Sequence, residues 1–386
     1  MNAYPTSHIL FLFGTRPEAI KLCPVFLALR ARKLPYLAVN TGQHRDMVQD
    51  VLTFFGCRAD VTLDVMREGQ DLITLTQRLM GELGALFRRC RPRAVAVHGD
   101  TATAHAGMLS AYLEGIPVYH IEAGLRSGNP RAPFPEEYFR CAIDAASELC
   151  FAPTQAAAAQ LLREGKPPSD ILLSGNTATD AVRLCLRDAP ADPECILRAA
   201  RPLDGEAPLP SLRGKRLILL TAHRRETDQA ALGTLLGGIR RALERIEDAV
   251  LLFPVHPSPR VRRAAVAAFR GCPQAHLIEP LPLPYMQRLL ARATLLLTDS
   301  GGLQEEAVYL GIPTLVLREV TERPEGVAAG VLRLVGTDGT SVGDAMCELL
   351  TNAAARDAMA RPSLCFGDGY AADRIAEQLK SRGIFD

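Results

Sequence analysis

The sequence predicts an α/β protein made of two Rossmann-like domains that face a central cleft. Three observations predict it. Short runs of branched and large aliphatic residues alternate with segments of helical period, as in a doubly wound sheet. Several runs, such as Ala94-Val95-Ala96-Val97, lack in/out alternation, which suits parallel strands buried on both faces. The alternation stops at a proline-rich stretch and then restarts, and 386 residues at roughly 100–200 per domain leave room for two halves.

In the first half the candidate strands are residues 8–13, 36–41, 94–98, 118–122, 149–152 and 171–174, with amphipathic stretches such as 72–87 and 103–113 between them. Residues 188–212 carry five prolines (Pro190, Pro193, Pro202, Pro208 and Pro210) and read as a linker or an irregular excursion. The pattern resumes with candidate strands 217–221, 250–255, 276–278, 294–298 and 314–317. Two sheets of similar size would place a ligand where their carboxyl ends meet; one continuous sheet is the alternative topology.

Composition excludes several classes. Apolar residues make up 48% and charged residues 23%, ordinary for a folded domain and unlike a disordered chain. Lys and Arg (44) against Asp and Glu (43) leave a net charge of +1, so no basic field gathers nucleic acid. The apolar run Ile9-Leu10-Phe11-Leu12-Phe13 is too short for a signal segment, and no run approaches the roughly 20 residues of a membrane span. Ten cysteines lie singly, without a C-x-x-C pair, and read as buried, reduced thiols of a cytoplasmic protein with no metal site.

Residues of chemical interest follow the candidate strands. Gly14-Thr15-Arg16-Pro17-Glu18-Ala19-Ile20-Lys21 is a glycine turn, a proline at a helix start, and two cations on the first turns. This is an anion site at a helix N-terminus or a capped helix with surface cations; it is neither a G-x-G-x-x-G fingerprint nor a P-loop. His98-Gly99-Asp100-Thr101 follows the third strand, and His120-Ile121-Glu122-Ala123-Gly124 overlaps the end of the next. Acids at the carboxyl ends of neighbouring parallel strands would converge on one crevice. Pro135-Glu136-Glu137 opens a further helix and sets a third acid group at its positive end. One such acid is usually a cap or a salt bridge; three in succession favour a functional reading.

In the second half, Thr221-Ala222-His223-Arg224-Arg225 follows a strand. His223 is a structural histidine or, between the arginines, an imidazolium that meets a pyrophosphate. Pro254-Val255-His256-Pro257 repeats the strand-end histidine. Asp299-Ser300-Gly301-Gly302 turns into a helix, where two glycines let the backbone approach a phosphate and Glu306 can accept from sugar hydroxyls. Tight βα turns use the same residues for geometry alone.

Together these segments carry a resemblance. FGTRPEAIKL (13–22), TGQHRDM (41–47), HGDT (98–101), HIEAGLRSGN (120–129), PFPEE (133–137) and GNTATDA (175–181) are followed in order by TAHRRE (221–226), PVHPSP (254–259), TDSGGLQEEA (298–307), TERPEG (321–326) and FGDG (366–369). The chain thereby resembles the non-hydrolysing UDP-N-acetylglucosamine 2-epimerases over almost its whole length. The resemblance implies a glycosyltransferase-B-like pair of domains, residues 1–178 with 367–386 and residues 179–366, the last helix crossing back to the first domain. It implies a UDP-sugar in the cleft, no cofactor, and a homodimer. By the same resemblance Asp100, Glu122, Glu136 and His223 are catalytic. Arg16, Lys21, Tyr285, Ser300, Gly301, Gly302, Glu306 and Arg323 bind the UDP-sugar, and Gln43, Gln70 and His256 lie near a regulatory substrate site.

The chemistry can be argued beside it. The C2 proton of a 2-acetamido sugar is not next to a carbonyl, and no dinucleotide fingerprint offers a transient ketone. Eliminating UDP across C1–C2 to a glycal, then adding it back, needs carboxylates at the sugar and cations on the departing diphosphate. Asp100 and Glu136 are expected to transfer the proton, Glu122 to position or share that work, and His223 to stand near the leaving phosphate. Some positions depart from the family pattern: Phe139 and Thr227 each replace a usual Asn, and Asp46 and Gly69 stand where Gln or Glu and a basic residue are common. These departures argue against activation by substrate and for a modified UDP-sugar. A hydrolysing epimerase, a glycosyltransferase and a non-catalytic UDP-sugar binder are the other readings.

Overall fold

In the computed structural model, which describes residues 8–67, 69–188, 192–203, 209–222 and 229–385, the chain divides into two units. The first comprises Met1–Ala181 and Gly367–Asp386. Its strands are β1 (Ile9–Phe13), β2 (Tyr36–Asn40), β3 (Val61–Thr62), β4 (Ala94–His98), β5 (Val118–Ile121), β6 (Leu149–Ala152) and β7 (Ile171–Leu173). Between them run α1 (Arg16–Ala31), α2 (Arg45–Phe54), α3 (Leu72–Cys90), α4 (Ala102–Leu113), α5 (Glu136–Ala146) and α6 (Gln155–Arg163); α7 (Thr177–Asp188) carries the chain across the unit boundary.

The strands form one parallel sheet in the order β3-β2-β1-β4-β5-β6-β7. Ile9 of β1 registers with Tyr36 on one side and Ala94 on the other, so the order reverses between β1 and β4. Chains leaving these two strands diverge to opposite faces, which opens a crevice at their carboxyl ends. All five residues of β1 are buried because helices cover both faces. Phe11 and Phe13 pack on Phe26 of α1, ring centroids 5.6 and 5.9 Å apart, while Leu10 and Leu12 join Leu79, Leu83 and Phe87 of α3.

The second unit, Val182–Phe366, repeats the plan. It holds α8 (Pro193–Ala199), β8 (Arg216–Thr221), α9 (Gln229–Leu243), β9 (Ala249–Pro254), α10 (Pro259–Phe269), β10 (Ala275–Ile278), α11 (Leu283–Arg292) and β11 (Leu295–Thr298). Then come α12 (Gly301–Leu310), β12 (Thr314–Val316), α13 (Pro324–Ala328), β13 (Leu332–Leu334), α14 (Gly339–Thr351) and α15 (Ala353–Met359). The parallel order β10-β9-β8-β11-β12-β13 has its switch between β8 and β11. Ile218 and Leu220 of β8 face α9 and α14, and Leu217 and Leu219 face α8 and α11. Both units are Rossmann-like.

The last helix, α16 (Ala371–Ser381), belongs to the first unit. Buried Asp180 caps it, accepting from the N–H groups of Ala371 (3.1 Å) and Ala372 (2.9 Å), and Arg32 of α1 pairs with Asp373 at 2.9 Å.

The structure corrects three expectations. The proline-rich stretch is not a bare linker: Pro193 starts α8, whose Ile196 is fully buried against β8 and β9. The short edge strands β3 and β13 have no periodicity to announce them and were not expected. No disulfide joins any of the ten cysteines, but Cys141 is exposed and Cys195 and Cys365 are half-buried. Among the described residues no helix is long and apolar enough to cross a membrane.

Candidate active site

At the switch point of the first sheet, Gly14 turns the chain from β1 into α1. A side chain there is sterically blocked, since a Cβ would meet Thr41 Oγ1 at 2.2 Å and Thr103 Oγ1 at 2.7 Å. Glu18, buried on the first turn of α1, reaches back to accept from the N–H groups of Gly14 (2.9 Å) and Thr15 (2.8 Å). Its other oxygen accepts from Thr101 Oγ1 at 2.6 Å, so Glu18 laces the turn after β1 to the turn after β4. Burial pushes the Glu18 carboxyl above its usual value despite these donors. Arg16 stands half-buried at the start of α1.

Lys21, one turn further along α1, donates to Glu122 Oε2. Glu122 directly follows β5 in a left-handed conformation, φ 72°, which a residue with a side chain adopts only when its surroundings hold it there. Asn176, after β7, donates its Nδ2 to the same Oε2 at 3.1 Å. His98 is buried with Nε2 3.8 Å from that oxygen, and burial drives its imidazole down to about 3, so the ring is neutral. Lys21 and Asn176 thus stabilise a carboxylate at Glu122.

Asp100 lies one strand over, after β4. Arg140 of α5 grips its Oδ2 with both Nε (2.8 Å) and Nη2 (2.7 Å), and the Asp100 side chain keeps 28% of its surface open. The same guanidinium donates Nη1 to Glu137 at 2.9 Å. Glu137, 3% exposed, also accepts from the N–H groups of Ser127 (2.8 Å) and Gly128 (2.9 Å), which fixes the loop leading into α5. Glu136 is half-buried at the first residue of α5, where the helix dipole favours a negative charge. Phe139 stacks on His105 of α4, ring centroids 4.4 Å apart, which accounts for an aromatic at that position.

In the second unit, Thr221 at the end of β8 and Thr298 at the end of β11 meet through their hydroxyls at 2.7 Å, across that sheet's own switch point. Thr298 Oγ1 accepts from the Ser300 N–H (3.0 Å) and shapes the turn into α12. Arg323 lies over the start of this helix: a Cβ on Gly301 would sit 2.8 Å from its Cζ, whereas one on Gly302 would meet nothing within 4 Å. Glu305 (3.0 Å) and Glu322 (3.2 Å) hold the Arg323 guanidinium. Burial alone would raise the Glu322 carboxyl, but hydrogen bonds from Arg318 and the charge of Arg323 bring it down to about 2. Glu306 accepts from Gln287 at 2.6 Å, and half-buried Tyr285 packs against the apolar cluster beneath. A helix start of this kind presents backbone N–H groups that can receive an anion. His223 lies outside the described residues.

Of the three residues assigned to a regulatory site, Gln43 accepts from Thr103 Oγ1 at 2.7 Å, beside the Gly14 turn. Gln70 accepts from the Arg67 N–H (3.2 Å) in its own loop, and exposed His256 accepts from the Ser258 N–H (3.2 Å). Among the described residues no group of three or more His, Cys, Asp or Glu is gathered as a metal site.

Sequence reasoning assigned no role to Glu18, His98, Glu137, Arg140 or Asn176. Glu18, His98, Glu137 and Asn176 all stand inside the segments that carry the resemblance, and that was the available signal. Arg140 and Asn176 act across 40 and 54 residues of chain, and no local pattern reports such partners.

A sequence profile of the family described as UDP-N-acetylglucosamine 2-epimerase matches residues 28–380. The UDP-N-acetylglucosamine 2-epimerase of Bacillus subtilis (strain 168) is 42% identical over 375 residues, covering 96% of this chain and 94% of that one. A solved structure of the Neisseria meningitidis UDP-GlcNAc 2-epimerase bound to UDP-GlcNAc superposes with a TM-score of 0.89 at 34% identity, covering 97% of this chain and all (100%) of the other. An S. aureus protein solved with UDP does so with a TM-score of 0.89 at 37% identity, covering 98% and 97%.

Proposed function

The chain belongs to the UDP-N-acetylglucosamine 2-epimerase family, a family of isomerases, and from that premise we propose that it is a non-hydrolysing UDP-sugar 2-epimerase. It interconverts UDP-N-acetylglucosamine, or a close UDP-2-acetamido sugar, with the manno epimer. The observation that carries this reading is the pair of carboxylates at adjacent strand ends, Asp100 held by Arg140 and Glu122 held by Lys21.

In this reading a carboxylate takes the proton from C2, the C2–H electron pair forms the C1–C2 double bond, and the C1–O bond breaks to release UDP. The glycal then receives a proton at C2 from the other side while the UDP oxygen closes again on C1, so atoms balance without net water. Asp100 and Glu136 transfer the protons; Glu122 positions the sugar or shares that work. Both Asp100 and Glu122 carry cationic partners, Arg140 and Lys21. Residues 1–178 with 367–386 form the domain of proton chemistry, and residues 179–366 form the UDP-binding domain. Ser300, Gly301 and Gly302 present the N-terminus of α12 to the diphosphate, and Arg323 supplies the neutralising charge. Glu306 and Tyr285 bind the UDP-sugar in the second unit, Arg16 is assigned to substrate binding in the first, and His223 is assigned to the leaving phosphate.

Incubation with UDP-N-acetylglucosamine in deuterated water tests the reading. The expected result is the manno epimer with deuterium at C2 and no accumulation of free UDP. Stoichiometric UDP with free N-acetylmannosamine identifies a hydrolysing enzyme instead. Neither product nor label, across a panel of UDP-2-acetamido sugars, removes the epimerase reading.

A further inference from the structure

The first unit holds a buried cluster that this chemistry leaves out. His120 of β5 and Asp144 of α5 are buried and meet at 2.5 Å, Nδ1 to Oδ1. The other ring nitrogen, Nε2, lies 2.8 Å from the carbonyl oxygen of Gly99. A carbonyl oxygen only accepts, so Nε2 carries a proton. The Arg126 guanidinium, a permanent cation, binds Asp144 directly, so Asp144 is a carboxylate. Its second oxygen already accepts from the Gly124 N–H (3.0 Å) and from Arg126 (2.7 Å). Nδ1 must therefore donate as well, and the ring is an imidazolium.

The groups tied by this ion pair are the two turns that carry the acids. Gly99 directly precedes Asp100, and Gly124 follows Glu122 by two residues; both are left-handed, at φ 62° and 86°. We infer that His120 is a positioning residue. Its imidazolium holds the Gly99 carbonyl directly and the Gly124 N–H through Asp144, and so sets the spacing between Asp100 and Glu122. A neutral ring would turn a lone pair toward one of two oxygens and release that turn. Reacting groups tolerate misplacement of only roughly 0.5 Å, so one released turn is felt in the chemical step. The role rests on the epimerase reading above; the protonation of the ring does not.

His120→Asn and His120→Gln each keep one donor nitrogen, put an acceptor oxygen in place of the other, and lose the charge. The experiment measures interconversion kinetics, UDP affinity by calorimetry, melting temperature, and the ring N–H protons of the wild-type protein by ¹⁵N-histidine spectra. The expected variant folds and binds UDP as the wild type does, with kcat lower by about 10–100-fold, KM little changed, and deuterium entry at C2 slowed equally. A folded variant with kcat within about twofold of wild type overturns the positioning role. If both variants fail to fold, the spectra decide: two N–H protons on the His120 ring support the strut and one overturns it. Wild-type protein that binds UDP yet turns over no UDP-2-acetamido sugar overturns the functional reading instead, and the same spectra still decide the double donation.

Discussion

Lys21 of α1 and Glu122 directly after β5 form an ion pair across 101 residues of chain, with side chains only 10% and 11% exposed. The pair joins a cation from the first helix to an acid held in a left-handed conformation two strands away in the sheet order. Coulombic attraction at such a site repays desolvation only while both partners are present.

Lys21→Met is expected to destabilise the protein by about 3–5 kcal/mol, because it leaves the Glu122 charge buried without its cation. Lys21→Met combined with Glu122→Gln should recover most of that loss. Urea denaturation of the single and double variants checks both. A single variant as stable as wild type would show that the pair contributes nothing.

Asp100→Asn and Glu136→Gln should each lower kcat by about 10²-fold or more while leaving UDP affinity unchanged. Steady-state kinetics beside calorimetric titration with UDP separates the two quantities. Wild-type rates in both variants would remove the proton-transfer roles even with the family assignment intact.

Gly301→Ala and Gly302→Ala should part company. At Gly301 the new methyl meets Arg323 Cζ at 2.8 Å, so the arginine must move and UDP affinity should fall together with stability. At Gly302 the protein offers no obstacle within 4 Å, and alanine favours a helix by up to about 1 kcal/mol over glycine. Gly302→Ala should therefore be as stable as wild type or more so, yet bind UDP more weakly because the methyl occupies the diphosphate's approach. Unchanged UDP affinity in Gly302→Ala would move the diphosphate site elsewhere.

Acid stability should depend on His98. Its folded value, about 3, lies below the 6.5 of an unperturbed histidine because burial disfavours the charged ring. The unfolded chain takes up this proton from pH 6.5 downward and the folded protein does not until about 3, so stability present above 6.5 is lost as the pH falls through that window. His98→Asn should flatten the decline by up to about 1.4 kcal/mol per pH unit between pH 6 and pH 4. Denaturation midpoints over that range test it, and an identical slope in the variant would place the acid sensitivity on other groups.

Much of the architecture was legible because its determinants are local. The strands 94–98 and 149–152 coincide with the observed β4 and β6 to the residue, and most others agree within one residue at either end. Continuous apolar runs mark strands buried on both faces, and burial is what β1 and β4 show. The two- and three-residue edge strands β3 and β13 left no period to be read, whereas β7, equally short and also at an edge, was legible from its apolar run Ile171-Leu172-Leu173. Prolines between 188 and 212 suggested interruption, yet Pro193 fits the first turn of a helix and Ile196 supplies the anchor. Composition could not weigh that single buried side chain.

At the candidate site, the sequence by itself determined which chemical groups follow which strand: Asp100 after β4, Glu122 after β5, Gly301 and Gly302 after β11. Each position depends on a run of neighbours in the chain. Only the tertiary structure decided which of Glu136 and Glu137 is buried, that Arg140 grips Asp100, and that His120 bridges Asp144 to the Gly99 carbonyl. Those pairings depend on the order in which strands join the sheet and on which helix lies over which turn. Those arrangements come from burying apolar faces far apart in the chain, and they bring charges together that no local pattern connects.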